Sequence, residues 1–121
     1  MRLSVGVDII EIERIRASIE NHPTRFLAYI YTQEEIARYR DQLPELAARF
    51  AGKEAVSKVL GTGVDGFAWR DIEILSDALG KPIVRLAGGA QRRAEAIGIR
   101  QIEISLSHCR EYAVAFAAGY G

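Results

Sequence analysis

The sequence predicts a single small α+β domain over residues 1–121, with a largely antiparallel sheet and several helices. Three observations predict it. A chain of 121 residues supplies one core and would starve a second. Its hydrophobic content of 49% is too high for a disordered chain. The periodicities run strand, several helices, two strands, helix, two strands, an order typical of α+β domains.

Leu3, Val5, Val7 and Ile9 alternate with Ser4, Gly6, Asp8 and Ile10, the period of a strand with one well-buried face. Asp8 falls on the opposite face, beside small neighbours. From Glu11 the spacing changes: Ile12, Ile15 and Ile19 share one side of a helix that Asn21, His22 and Pro23 end. A short helical piece follows over Arg25–Ile30. Thr32 with Glu35 reads as a capping box opening a helix to about Tyr39. Pro44, at a tolerated first-turn position, opens a helix that runs to Leu60 and closes on Gly61. Gly61, Thr62 and Gly63 form a flexible corner. Strands are expected at Asp71–Leu75 and Pro82–Leu86 around a turn at Gly80, and Gly88 and Gly89 break the second. A helix at Ala90–Ile97 ends on Gly98, and strands at Gln101–Ser107 and Tyr112–Ala117 close the chain.

Sixteen basic and sixteen acidic side chains cancel, so no overall positive field points to a nucleic-acid partner. The first seven residues lack the features of a secretory signal, and no stretch approaches the roughly 20 apolar residues of a membrane span. A soluble cytoplasmic protein is expected. The single cysteine, Cys109, cannot form an internal disulfide, which suits a reducing compartment. A domain this small leaves much of its surface exposed, which favours oligomerisation.

Asp8, at a strand end before a helix, fits an ordinary helix cap as well as a ligand. Arg49 to Lys58 is more unusual, with four charges in an otherwise small or apolar helix. Arg49 and Lys53 are four apart and repel; Glu54 and Lys58, also four apart, attract. An anion along this helix would relieve the repulsion, and a carboxylate beside it would hold a hard cation bridging to that anion. The competing reading is a solvated helix face. Ser105-Leu106-Ser107-His108-Cys109 offers hydroxyls, an imidazole and a thiol, but neighbours on a strand point to opposite faces. His108 is expected to contact phosphate or hydroxyl, Cys109 to be a buried inert thiol, and His22 to be solvated.

Val5-Gly6-Val7-Asp8-Ile9, Arg49-Phe50-Ala51-Gly52-Lys53-Glu54-Ala55, Gly61-Thr62-Gly63 and Ser105-Leu106-Ser107-His108 occur in this order over nearly the whole chain. They resemble the holo-[acyl-carrier-protein] synthases, the small 4'-phosphopantetheinyl transferases. Asp71-Ile72-Glu73-Ile74 and Gly80-Lys81-Pro82 also look like that family's central hairpin. The resemblance implies a homotrimer with coenzyme A and magnesium bound between subunits. It puts Asp8 and Glu54 on the metal-binding carboxylates and Lys58 beside the phosphates. Arg49, Gly61, Thr62, Gly63 and His108 match positions lining the coenzyme A cleft. Two departures stand out: Gly52 where alanine is common, and Cys109 where a polar residue is common.

The activity implied is transfer of phosphopantetheine from coenzyme A to a serine of acyl carrier protein, releasing adenosine 3',5'-bisphosphate and supporting fatty acid biosynthesis. Two carboxylates about 4 Å apart repel by roughly 4 kcal/mol at an effective dielectric of 20, which calls for a cation such as magnesium. Glu54 or a water on the metal would take the serine proton. Arg14, Arg25 and Phe26 resemble the family's docking positions for the acidic carrier. Two competing functions are a coenzyme A sensor without catalysis and a metal-dependent pyrophosphate hydrolase.

Overall fold

In the computed structural model, which describes residues 2–61 and 66–121, strand β1 (Leu3–Glu11) turns directly into helix α1 (Ile12–Asn21). Two short helices follow, α2 (Pro23–Ile30) and α3 (Gln33–Tyr39). Pro23 opens α2 two residues before the sequence suggests, because a missing N–H is harmless in the first turn. The capping box forms as its spacing predicts: the Glu35 N–H donates to Thr32 Oγ1 at 3.1 Å and the Thr32 N–H to Glu35 Oε1 at 2.8 Å. The long helix α4 (Leu43–Leu60) ends on Gly61, whose φ of 84° is the left-handed conformation expected there.

A 3-10 turn at Trp69–Asp71 leads into β2 (Ile72–Ser76) and β3 (Pro82–Leu86), then α5 (Gly88–Ala96), β4 (Gln101–His108) and β5 (Tyr112–Tyr120). Gly88 and Gly89 thus begin a helix rather than interrupt the chain before one. The reason lies in Asp71, whose carboxylate accepts the Gly89 N–H at 3.2 Å and would stand only 2.9 Å from a Cβ on Gly88. A side chain at Gly88 would displace that acceptor.

Among the described residues all pairings are antiparallel, in two sheets: β1-β5-β4 and the hairpin β2-β3. Helix α4 crosses the inner face of the larger sheet, and the core is built from its Ala47, Ala51, Ala55 and Val59 against Ala113, Ala115 and Ala117 of β5. Small residues on both sides let the helix approach closely. Gly6 marks the tightest point, because a Cβ there would lie 2.1 Å from the Ala55 carbonyl oxygen. Gly52 has a similar reason: its missing Cβ would meet Ile74 at 2.6 Å. Glycine in mid-helix is the price of bringing α4 against the hairpin.

The strand β1 reverses the expected faces. Ser4, Gly6, Asp8 and Ile10 turn inward to α4, whereas Leu3, Val5, Val7 and Ile9 lie on the outer face and remain 54–65% exposed. Only a small-residue face admits the helix at this distance, so the larger apolar residues are left uncovered by this chain. Phe116, directly opposite Val7, and Tyr112, opposite Glu11, extend the apolar row onto β5.

Candidate active site

Asp8, Glu54 and Lys58 converge where β1 crosses the last turns of α4. Gly6 sets the distance between the two backbones, and Asp8, two residues on, projects from the same inner face. Lys58 does not fold back along its helix toward Glu54 as the four-residue spacing suggests. It reaches across to β1, where its Nζ donates to the Val7 carbonyl at 2.8 Å and approaches Asp8 Oδ1 at 3.4 Å. Glu54 is half-buried, and its carboxyl is held above the ordinary glutamate value by burial first and by the charge of Asp8 second, with Lys58 opposing. Asp8 and Glu54 are therefore electrostatic neighbours.

Their donor set fits a hard divalent cation: two carboxylates with a mutual repulsion that a cation would relieve, and no soft ligand. Among the described residues no third aspartate, glutamate, histidine or cysteine joins them, so further positions would fall to substrate oxygens and water.

The other cations of α4 serve the fold. Lys53 is fully buried and pairs with Glu35 at 2.8 Å, also donating to the carbonyls of Trp69 and Ile72. Burial lowers its pKa, and Glu35 opposes that shift. Arg49, 2% exposed, donates to Ile74 O at 2.9 Å, Ser76 Oγ at 2.9 Å and Glu45 Oε1 at 2.6 Å, with its guanidinium 3.7 Å from the centre of the Tyr39 ring. The expectation of an anion laid along Arg49 and Lys53 is therefore overturned: each cation has its own carboxylate, and neither forms a solvated face. Arg49 does reach the wall of a cleft of about 470 Å³ that Tyr39, Ser76, Pro82, Ser107 and His108 also line. Arg49 and His108 are thus brought to one cavity, on a different side of α4 from Asp8.

Gly61 caps α4, and Arg93 supports it by donating to Leu60 O at 2.9 Å; Thr62 and Gly63 lie outside the described residues. Cys109 is exposed in the β4–β5 turn rather than buried, because β4 ends at His108. Backbone hydrogen bonds from Glu111 and Tyr112 lower its thiol pKa. His22 is exposed, as expected.

Arg14 and Arg25 are exposed, and Arg14 makes no ion pair among the described residues, while its neighbour Arg16 pairs with Glu13 at 3.1 Å. Phe26 is half-buried: it meets Tyr31 edge-on at 6.2 Å and stacks at 6.4 Å on Phe50, which stacks in turn on Trp69 at 4.9 Å. His22, Arg25, Phe26, Ala28 and Tyr29 line a shallow groove beside this aromatic column. The column and the Glu35–Lys53 pair escaped sequence reasoning, since each joins segments far apart in the chain.

The frame is an α+β domain in which a carboxylate of β1 faces a carboxylate and a lysine of α4. Residues 4–117 match the 4'-phosphopantetheinyl transferase superfamily, and the chain belongs to it, within the holo-[acyl-carrier-protein] synthase family. It is 45% identical over 126 residues to the holo-[acyl-carrier-protein] synthase of Herpetosiphon aurantiacus, covering 98% of this chain and 99% of that one. Its fold is similar to that of the Neisseria meningitidis enzyme of the same name, with a TM-score of 0.89, 32% identity and 98% of both chains covered. It is also similar to the Helicobacter pylori holo-[acyl-carrier-protein] synthase in complex with coenzyme A, with a TM-score of 0.87, 28% identity, and 95% and 98% of the respective chains covered.

Proposed function

We propose that this chain is a magnesium-dependent transferase that moves 4'-phosphopantetheine from coenzyme A to a serine of apo acyl carrier protein. The products are holo acyl carrier protein and adenosine 3',5'-bisphosphate, and the work belongs to cytoplasmic fatty acid biosynthesis. The observation that carries the reading is the convergence of Asp8 and Glu54, with Lys58, at one crossing of β1 and α4. The coenzyme A held by the Helicobacter pylori relative supports the substrate.

Asp8 and Glu54 would hold the metal, which when bound supplies positive charge to the pyrophosphate of coenzyme A. Lys58, anchored on the Val7 carbonyl, keeps a donor free for a phosphate oxygen. The serine oxygen forms a bond to the pantetheine-side phosphorus as the bond from that phosphorus to the adenosine bisphosphate oxygen breaks. Glu54, or a water held beside it, would accept the serine proton. Arg49 and His108 line a cleft on the other side of α4 that would receive another part of coenzyme A.

The assembly we propose is a homotrimer with sites between subunits. Its support is the uncovered apolar row of Leu3, Val5, Val7 and Ile9, continued by Phe116, which the fold leaves for another copy. Arg14, Arg25 and the aromatic groove around Phe26 would meet the acidic carrier.

The test is the mass of apo acyl carrier protein after incubation with coenzyme A and magnesium. One added phosphopantetheine is expected with the wild type and none with Asp8→Ala or Glu54→Ala, whose circular dichroism should remain unchanged. Release of adenosine bisphosphate without carrier would instead indicate a hydrolase, and full activity in either variant would remove the metal assignment.

A further inference from the structure

Lys58 is the counter-ion of Asp8 in the free chain. Its Nζ is fixed by the Val7 carbonyl at 2.8 Å and stands 3.4 Å from Asp8 Oδ1. The alternative partner, Glu54, lies one turn away on the same helix, and no ion pair joins it to Lys58 among the described residues. The ammonium therefore takes up part of the charge that a metal ion would use, from a backbone anchor that holds it close. An incoming divalent cation and this ammonium would repel each other across the shared carboxylate.

We propose that Lys58 sets the order of loading, disfavouring metal in the free chain and admitting it once an anionic substrate has drawn the ammonium away from Asp8. This rests on the reading of Asp8 and Glu54 as the metal pair. The Val7 carbonyl makes it possible, because a lysine hinged on a neutral acceptor exchanges one anionic partner for another without leaving the site. A phosphate oxygen of coenzyme A is such a partner. Metal and coenzyme A then strengthen each other's binding beyond what direct contact between them provides, and by linkage the effect is reciprocal.

Manganous ion, followed by electron paramagnetic resonance of the unbound ion at fixed neutral pH, is the probe. Lys58→Met should bind it about fivefold more tightly than wild type without coenzyme A, the scale of a half-exposed ion pair. The gain that coenzyme A brings should shrink in the same variant. Lys58→Arg, which keeps the charge, should stay near wild type. Thermal melting establishes that the variants are folded, and Lys58, half exposed, is not needed for the core. If Lys58→Met binds manganese no better than wild type while Asp8→Asn loses it, the ordering role is overturned and the metal pair stands. If Lys58→Arg behaves like Lys58→Met, charge is not the cause and the proposal fails. If Asp8→Asn and Glu54→Gln both bind manganese like wild type, the metal pair itself fails and the ordering with it.

Discussion

Glu35 and Lys53 form an ion pair at 2.8 Å with neither side chain exposed to solvent, joining α3 to α4 at the edge of β2. Both oxygens of Glu35 are engaged: its other bonds come from the Thr32 N–H and, at 2.8 Å, from the Ile74 N–H. Removing one partner leaves an uncompensated buried charge. Lys53→Met should therefore lower stability by about 3–5 kcal/mol, and Glu35→Gln in the same chain should recover part of that loss. Urea denaturation of the two single variants and the double variant checks it; additive losses would show that the two side chains act independently.

Glu54 carries a pH signature. Its folded pKa lies above the ordinary value of 4.5, so between those two values the folded chain binds more protons than the unfolded one. Stability of the metal-free protein should fall as pH rises from near 4.5 through the raised folded value, as far as Glu54 contributes. Glu54→Gln should flatten that part of the profile and melt above wild type near neutral pH. Melting curves across pH in chelator would refute this if the two proteins kept parallel profiles.

The proposed homotrimer would bury the apolar row on β1 between subunits. Val5→Glu with Val7→Glu places two charges on a face where Val7 lies opposite Phe116. Sedimentation should show wild type as a trimer and the double variant as a monomer, with transfer activity lost together with assembly. A wild-type protein that is fully active as a monomer would remove the shared site.

Arg14 and Arg25 are exposed and are expected to act on encounter with the carrier. Reversal of both to glutamate should raise the carrier KM by about tenfold at low salt and abolish its salt dependence, because exposed charges steer association. Coenzyme A affinity, read by calorimetry, should not change. Unaltered carrier kinetics at low ionic strength would place docking elsewhere.

The elements most legible in the sequence are those whose cause is local. Thr32 and Glu35 announce a cap because both partners lie within one turn, and Gly61 closes α4 because a left-handed residue is needed there. Asp8, Glu54 and Lys58 are candidates through the resemblance alone, since their spacing also suits a cap and a solvated face; the structure shows them as neighbours. The orientation of β1 was not, because the alternation of Leu3, Val5, Val7 and Ile9 fixes a face without saying whether α4 or another chain covers it. The burial of Arg49 and Lys53 was hidden for a related reason. Their partners on β2 and α3 become neighbours only when the hairpin closes on α4. Cys109 was misjudged from residue type, whereas the end of β4 decides its exposure.

At Gly6 the strand meets the Ala55 carbonyl with no side chain between them. The gap that separates the carriers of Asp8 and Glu54 is consequently gauged by main chain against main chain, and no rotamer change can widen it. Drift elsewhere in the sequence can alter the outer surface and the hairpin while this gauge holds, whereas one methyl group at residue 6 would force the two carboxylates to a new separation. The residue with the least chemistry of its own therefore leaves the narrowest tolerance around the chemistry nearby.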